Sequence, residues 1–429
     1  MNFLMDILSL MLKTMLYSLI NPYFWLVILI VIMQYRRTVN LEKKLFGDAV
    51  NNIWQVTSSS LLFGILGGFF GSILLLLLGI SLDSVGIVYL WPVAIFLFLF
   101  NPRFLCFAYA GGIVAVFSLF LRALLPIFPM LAENKILAGV MEIHLPSLLA
   151  LIGILHLTES LLIYLSGHGG ASPIYLKTPD GDVIGGYSLQ RFWPLPLIGL
   201  WAMAVAENSQ MFVGGISMPD WWPLLGTVMN LGASEKVIYL MFPIVAGLGY
   251  GDLALSSDPA SRRIKTAKNL AVYSILLSVA AVVSAHISMV TLFAAFLAPL
   301  GHEYLIHKGN REERSRPPIF SQGATSGLRV LAVLPNTPAE KAGIKSGDNL
   351  MEVNVLEINS EQDFWHAINL GSPPLIKIKQ ENRIKRLSLR ANSWARQRFG
   401  AIFVPGKDAR IYVEINKSSF WERFRKKRK

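Results

Sequence analysis

Thr337-Pro338-Ala339-Glu340-Lys341-Ala342-Gly343-Ile344-Lys345-Ser346-Gly347-Asp348-Asn349-Leu350 decides the reading of this chain, because it is soluble-domain sequence lying behind a long apolar run. An apolar strand at 328–334 precedes it, and Pro335-Asn336 stops that strand. Thr337 stands where a helix is capped, with Pro338 in the first turn, where no amide donor is needed. Gly343 suits the left-handed residue that ends a helix. Gly347-Asp348 reads as the turn into the next strand.

Working outward, further strands are predicted at 350–355, 375–379 and 383–389, the last two joined by a turn at Glu381-Asn382. Ile376 and Ile378 alternate with Lys377 and Lys379, the pattern of a half-buried strand. Ser360 opens a second helix whose Phe364 and Ile368, four residues apart, share a face. More strand-forming sequence follows at 394–415.

This arrangement resembles a PDZ domain of the bacterial, protease-associated type, whose helix carries Pro-Ala-x-x-Ala-Gly-Leu-x-x-Gly-Asp. Ile344 stands in place of the Leu. The resemblance implies a small α+β fold that binds peptides and catalyses nothing. Such a groove takes its ligand as an added strand, with main-chain bonds giving affinity and pockets giving selectivity. One wall is expected on the Ser360 helix and the other at Ile319-Phe320, with Ile319, Phe320, Trp365 and Ile368 as groove contacts. A Gly-Leu-Gly-Phe-like loop for a terminal carboxylate is not visible. Pro317-Pro318-Ile319-Phe320 is the nearest substitute, which points to an internal segment or a helix as ligand.

Ahead of this domain the composition is that of a polytopic membrane protein. The chain has 429 residues and 15% charged side chains, with mean hydropathy +0.50. From His307 onward there are 24 Lys/Arg against 12 Asp/Glu, whereas before it the two are balanced at 15 each, so the whole +12 excess is C-terminal. A basic tail tethered near a bilayer suits anionic lipid better than nucleic acid, and Phe420, Trp421 and Phe424 interleave with its cations. Cys106, the single cysteine, lies in an apolar run and excludes a disulfide framework. No cleavable signal peptide is evident.

Residues 3–20 are apolar but carry Asp6, Ser9 and Lys13 at helical spacing, which fits an interfacial helix or a poor first span. Further spans are read at 23–33, 61–80, 85–100, 104–121, 148–165, 195–212, 237–255, 270–285 and 287–306. Together they predict a membrane α-helical bundle of about eight to ten transmembrane helices. Gly64, Gly67, Gly68 and Gly71 make small faces for packing within that bundle. Arg36/Arg37, Arg103, Lys177/Arg191 and Arg262/Arg263 fall on one side, the cytoplasm, together with the C-terminal third. Residues 173–187 read as a cytoplasmic hairpin around Asp180-Gly181.

Three ionisable residues inside apolar sequence are functional candidates: His156 and Glu159, which share a helix face, and Asp252, near the cytoplasmic boundary. A proton or ion path is one reading of the first two, and a structural hydrogen bond is the other. Gly301-His302-Glu303-Tyr304-Leu305-Ile306-His307 approaches a zinc-protease motif, but its histidines are five apart. Five helical steps turn the second about 140° from the first, so a regular helix cannot present both to one ion. No span follows to supply a third ligand. No catalytic set, metal site or cofactor is expected.

The organisation is thus a polytopic domain at 1–306, a charged linker at 307–318, a PDZ-like domain at 319–392 and a basic tail at 393–429. It resembles the MinJ-like cell-division topological determinants of Gram-positive rods. The PDZ signature carries the likeness, with weaker support at Tyr35-Arg36-Arg37 and from Ser172-Pro173-Ile174 to Gly185-Gly186-Tyr187. The resemblance implies a non-enzymatic adaptor at the inner face of the cell membrane, enriched at septa and poles. Its protein partners would be a DivIVA-like scaffold and a MinD-like ATPase. An inactive relative of site-2-type metalloproteases and a transporter using His156 and Glu159 are the alternatives.

Overall fold

A computed structural model describes residues 2–178, 180–206, 216–226, 234–321, 327–370, 374–380, 383–388, 399–406 and 411–414. The N-terminal helices are α1 (Asn2–Ile20), α2 (Pro22–Phe46), α3 (Ile53–Leu78), α4 (Ile87–Phe100), α5 (Phe107–Leu124), α6 (Lys135–Glu142) and α7 (Leu145–Ser166). Strands β1 (Ser172–Lys177), β2 (Val183–Ala206) and β3 (Glu235–Ala254) follow, then α8 (Pro259–Ser284) and α9 (Ser288–Ser315). The C-terminal region runs β4 (Leu328–Val333), α10 (Pro338–Lys341), β5 (Asn349–Val353), β6 (Leu356–Glu357), α11 (Glu361–Ile368), β7 (Leu375–Gln380), β8 (Arg383–Ser388), β9 (Ala401–Phe403) and β10 (Val413–Glu414).

Among the described residues six helices are long and apolar enough to cross a membrane: α2, α3, α5, α7, α8 and α9. α4 is apolar but only 14 residues long. The expectation of about eight to ten spans is corrected chiefly by 195–206 and 237–254, the described parts of two expected spans, which do not form helices. They belong to β2 and β3, paired antiparallel from Tyr187↔Ala254 to Ala206↔Glu235. Pro194, Pro196 and Pro243 would each cost a helix about 3 kcal/mol. Gly247, Gly249 and Gly251 recur at a period of two, facing Pro194, Phe192 and Gln190 in the ladder. The 173–187 hairpin is the base of this ribbon, with Ser172↔Ser188 through Lys177↔Val183 in register.

A strand beside apolar helices needs partners for its outer backbone groups. Hydroxyls supply them along β2. Tyr35 Oη accepts from the Phe192 amide (3.1 Å), Ser72 Oγ from the Ile198 amide (2.9 Å) and Ser81 Oγ from the Ala202 amide (3.0 Å). Ser18 Oγ donates to the Leu197 carbonyl (3.2 Å), and the Leu82 amide donates to the Leu200 carbonyl (2.8 Å). The small face of α3 lets the ribbon approach: a Cβ on Gly64 or Gly68 would collide with the Pro194 or Pro196 carbonyl oxygen, and one on Gly67 with Leu162. These glycines serve packing inside the domain, partly against a strand rather than another helix. Met11 and Met15 of α1 pack with Ile198 and Leu200 of the ribbon and with Leu76 of α3 in a second apolar cluster.

The charged stretch after His307, expected as a linker, continues α9 to Ser315. α8 and α9 are both full-length helices on either side of the turn at His286. Beyond them the sheet order is β8-β7-β5-β4-β9, with β6 on β5. Gly343 takes φ +82 at the end of α10, as its position required. Thr337 sits at the N-cap of α10, but its hydroxyl donates to the Leu334 carbonyl (2.7 Å) and no cap bond forms. Ser360 and Asp363 form a capping box on α11. Val330, Leu350, Val353, Phe364, Ile368, Ile376, Ile378 and Phe399 make the core of this domain. The Glu381-Asn382 turn and the basic residues 415–429 lie outside the described residues.

Candidate functional site

Part of the sequence that carried the resemblance, Gly185 and Tyr187 with Ser346, lies where the ribbon meets the C-terminal sheet. The Gly185 amide donates to the Phe320 carbonyl (2.8 Å), and the Ile319 amide donates to the Leu255 carbonyl (2.9 Å). Arg329 Nη1 donates to the Ile319 carbonyl (2.7 Å). Tyr187 Oη donates to the Leu331 carbonyl and stands 2.9 Å from Ser346 Oγ. β4 is irregular at this point, between Val330 and Ala332, so the Leu331 carbonyl is met from outside the ladder. Tyr175 Oη donates to the Phe403 carbonyl (2.7 Å). β10 adds parallel to β1. Leu331, Ala332, Leu334, Ile402, Val404 and Phe320 then share one apolar cluster with the membrane-domain core.

Glu42, fully buried at the end of α2, ties the ribbon from below. It accepts from the Asn51 amide (3.0 Å), Asn51 Nδ2 (2.6 Å) and Ser172 Oγ (2.5 Å). Sequence reading gave it no role, since nothing local marks a carboxylate whose partners lie nine and 130 residues away.

The expected groove walls do not meet. Phe320 is 5% exposed in the joint, its ring 5.8 Å from that of Tyr187. Ile368 is buried in the C-terminal core. Trp365 is half-buried on α11, against Phe364 and Phe399. α11 packs on β5 and, through Phe364, on Phe399 and on Phe403 of β9, and β9 is the last strand of its sheet among the described residues. β9 is held in the joint as well, since Tyr175 bonds the Phe403 carbonyl and Ile402 and Val404 pack in the membrane-domain cluster. Asp363, on the outer face of α11, is held below the ordinary carboxylate range by its hydrogen bonds with Ser360 and the Asn359 amide. Asp348, in the turn before β5, is pushed up by burial despite accepting from the Lys345 amide and Gln380.

The intramembrane candidates border a cavity of about 1380 Å³ between α2, α7, α8, α9 and the ribbon, which Arg36, Arg37, Arg103 and Arg262 also line. Asp252 is not solvated as its position suggested. Its carboxylate accepts from Arg262 Nη2 (2.7 Å), Arg262 Nε (2.9 Å) and Thr266 Oγ1 (2.8 Å), and both charged side chains are under a tenth exposed. Glu313 stands 3.6 Å from Arg262 and accepts from the Leu255 and Ser256 amides. Arg191, expected at the cytoplasmic surface, is buried and donates to Ser59 Oγ (3.0 Å).

His156 and Glu159 both face the cavity. His302 and His307 diverge along α9, as their spacing dictates. His307 Nε2 lies 2.8 Å from Glu303, which also accepts from Arg103 (2.8 Å) and Tyr109 (2.5 Å). His302 instead turns toward His156 and Cys106. Sequence reading saw no Cys/His pattern for a metal, because these three residues come from separate elements.

Fold and site together define a polytopic membrane protein that carries a C-terminal sheet domain seated on a membrane-domain ribbon. No family model matches the chain. It is similar to the cell division topological determinant MinJ of Bacillus subtilis (strain 168), with 26% identity over 353 residues, 81% of this chain and 83% of that protein. This agrees with the MinJ-like resemblance read from the sequence.

Proposed function

We propose that this chain is a membrane-anchored adaptor acting in division-site placement, with its C-terminal domain working as a PDZ-type peptide-binding module at the cytoplasmic face. The observation that carries this reading is α11, whose Trp365 stays partly exposed on a domain that is pinned to the ribbon through β4 and β9. A sheet domain with a helix along it suits a peptide added as a strand, and half-buried Trp365 is the proposed anchor. Ile319 and Phe320 hold the joint instead. The likeness to MinJ supports a topological role in cell division. By that resemblance the partners are a DivIVA-like scaffold and a MinD-like ATPase, with anionic lipid at the basic tail.

A second reading, transport through the cavity lined by His156, Glu159 and Asp252, has the cavity itself in its favour. The two separate in cells dependent on the chain. Under the adaptor reading, deletion of 319–392 abolishes correct septum placement and Glu159→Gln is silent. The transport reading requires the reverse. Proteolysis by the His302-Glu303 motif gains no support, since Glu303 is held by Arg103, Tyr109 and His307.

A further inference from the structure

We infer that Cys106, His156 and His302 form a binding site for a single zinc ion that ties α5, α7 and α9 together at the cavity wall. Cys106 is the N-cap of α5, His156 lies midway along α7 and His302 midway along α9. One ligand atom from each falls within 4.8 Å of the other two. Cys106 Sγ is 3.1 Å from His156 Nε2 and 3.8 Å from His302 Nε2. A tetrahedral zinc with ordinary bond lengths holds sulfur and nitrogen ligands about 3.5 Å apart. The two observed separations straddle that value, so small side-chain adjustments suffice.

The surroundings are those of a supported ligand set. His156 Nδ1 is 2.8 Å from the Ile152 carbonyl, which accepts its proton and leaves the Nε2 lone pair aimed at the thiol. Such a backbone partner commonly fixes a metal-bound imidazole. His302 is held edge-on by Tyr109 and Tyr273, at ring separations of 5.2 and 6.1 Å. Tyr273 Oη in turn donates to the Ala298 carbonyl (2.6 Å). His302 Nδ1 is buried without a hydrogen-bond partner among the described residues. A thiolate with two neutral imidazoles suits a borderline-soft ion such as zinc and does not suit magnesium or calcium. Binding converts the thiol to thiolate and releases one proton.

The site differs from a protease centre. It uses one histidine of the His302/His307 pair, and the neighbouring carboxylate, Glu303, is already paired. The three ligands border the cavity, which Glu159, on the same helix as His156, also lines. The inference stands apart from the adaptor reading, because it concerns the helical core and not the peptide edge.

The test uses the full-length chain, purified in detergent with a tag free of histidine. Zinc is added, excess is removed, and bound metal is measured. Cobalt is then substituted and the absorption spectrum recorded. The site predicts about one metal per chain and a thiolate-to-cobalt charge-transfer band, which only Cys106 can give in this chain. Reaction of Cys106 with a thiol reagent is expected to slow at least about tenfold with zinc and to recover with chelator. Cys106→Ser and His302→Gln each lose the tightly held ion. Retention of the metal by both variants, absence of the cobalt band in the unaltered protein, or a thiol indifferent to zinc would overturn the inference. The cobalt band and thiol protection are read on the unaltered protein, so the test holds even if a variant fails to fold.

Discussion

The amide of Gly185 donates to the carbonyl of Phe320 at 2.8 Å, joining the base of a ribbon in the membrane domain to the chain just ahead of β4. Two residues along the ribbon, Tyr187 reaches past that bridge to the Leu331 carbonyl. The C-terminal domain is therefore docked by main-chain and hydroxyl bonds over a shared apolar cluster. Tyr187→Phe leaves the Leu331 carbonyl buried and unpaired, at a cost of about 1–3 kcal/mol. Hydrogen exchange in full-length protein should show faster opening of β4, while Ser346→Ala leaves it nearly unchanged. Equal effects from both would place the Tyr187 bond outside the docking.

Arg262 and Asp252 form a buried pair whose geometry is bidentate. Removing one partner strands the other in a low-dielectric site, and Arg262→Ala is expected to cost about 3–5 kcal/mol. Arg262→Met combined with Asp252→Leu should recover much of that loss. Thermal unfolding in detergent measures both, and a double variant as unstable as the single one would contradict the assignment.

Ser72 is fully buried, accepting from the Ile198 amide and donating to the Gly68 carbonyl (2.6 Å). Ser72→Ala orphans a strand amide beside α3, with an expected loss of about 1–3 kcal/mol. Ser58→Ala, on an exposed stretch of the same helix, serves as control and should change little. Indistinguishable melting points for the two would remove the hydroxyls from the account of how β2 is tolerated.

The capping box on α11 gives a pH dependence with a defined sign. Asp363 has a folded-state pKa below its unfolded value. Its contribution is thus present above the unfolded value and disappears as pH falls through the folded one. Ser360→Ala should cost about 1 kcal/mol near neutrality. The destabilisation caused by Asp363→Asn should shrink as the solution is acidified, as read from denaturant midpoints. A penalty that grows in acid would reverse the sign and refute the assignment.

The C-terminal elements were legible because each is announced locally. Pro338 starts a helix, Gly343 ends it, and Ile376/Ile378 alternate with lysines. The ribbon was misread as two helices because mean hydropathy ignores period. Pro194 with Pro196, and Gly247-Gly249-Gly251, carried the two-residue signal that the structure obeys. Glu42, the Cys106-His156-His302 cluster and the seating of β9 on the ribbon were not legible, since each depends on partners brought together only by tertiary packing.

The central claim is that a membrane-embedded anchor carries a recognition domain to the division site. Imaging the full-length chain fused to a fluorescent protein in dividing cells of its host tests it most directly. The account predicts enrichment at septa or poles that is lost when Trp365→Ala removes the proposed anchor on α11. Uniform staining of the whole envelope, with or without that substitution, would contradict it.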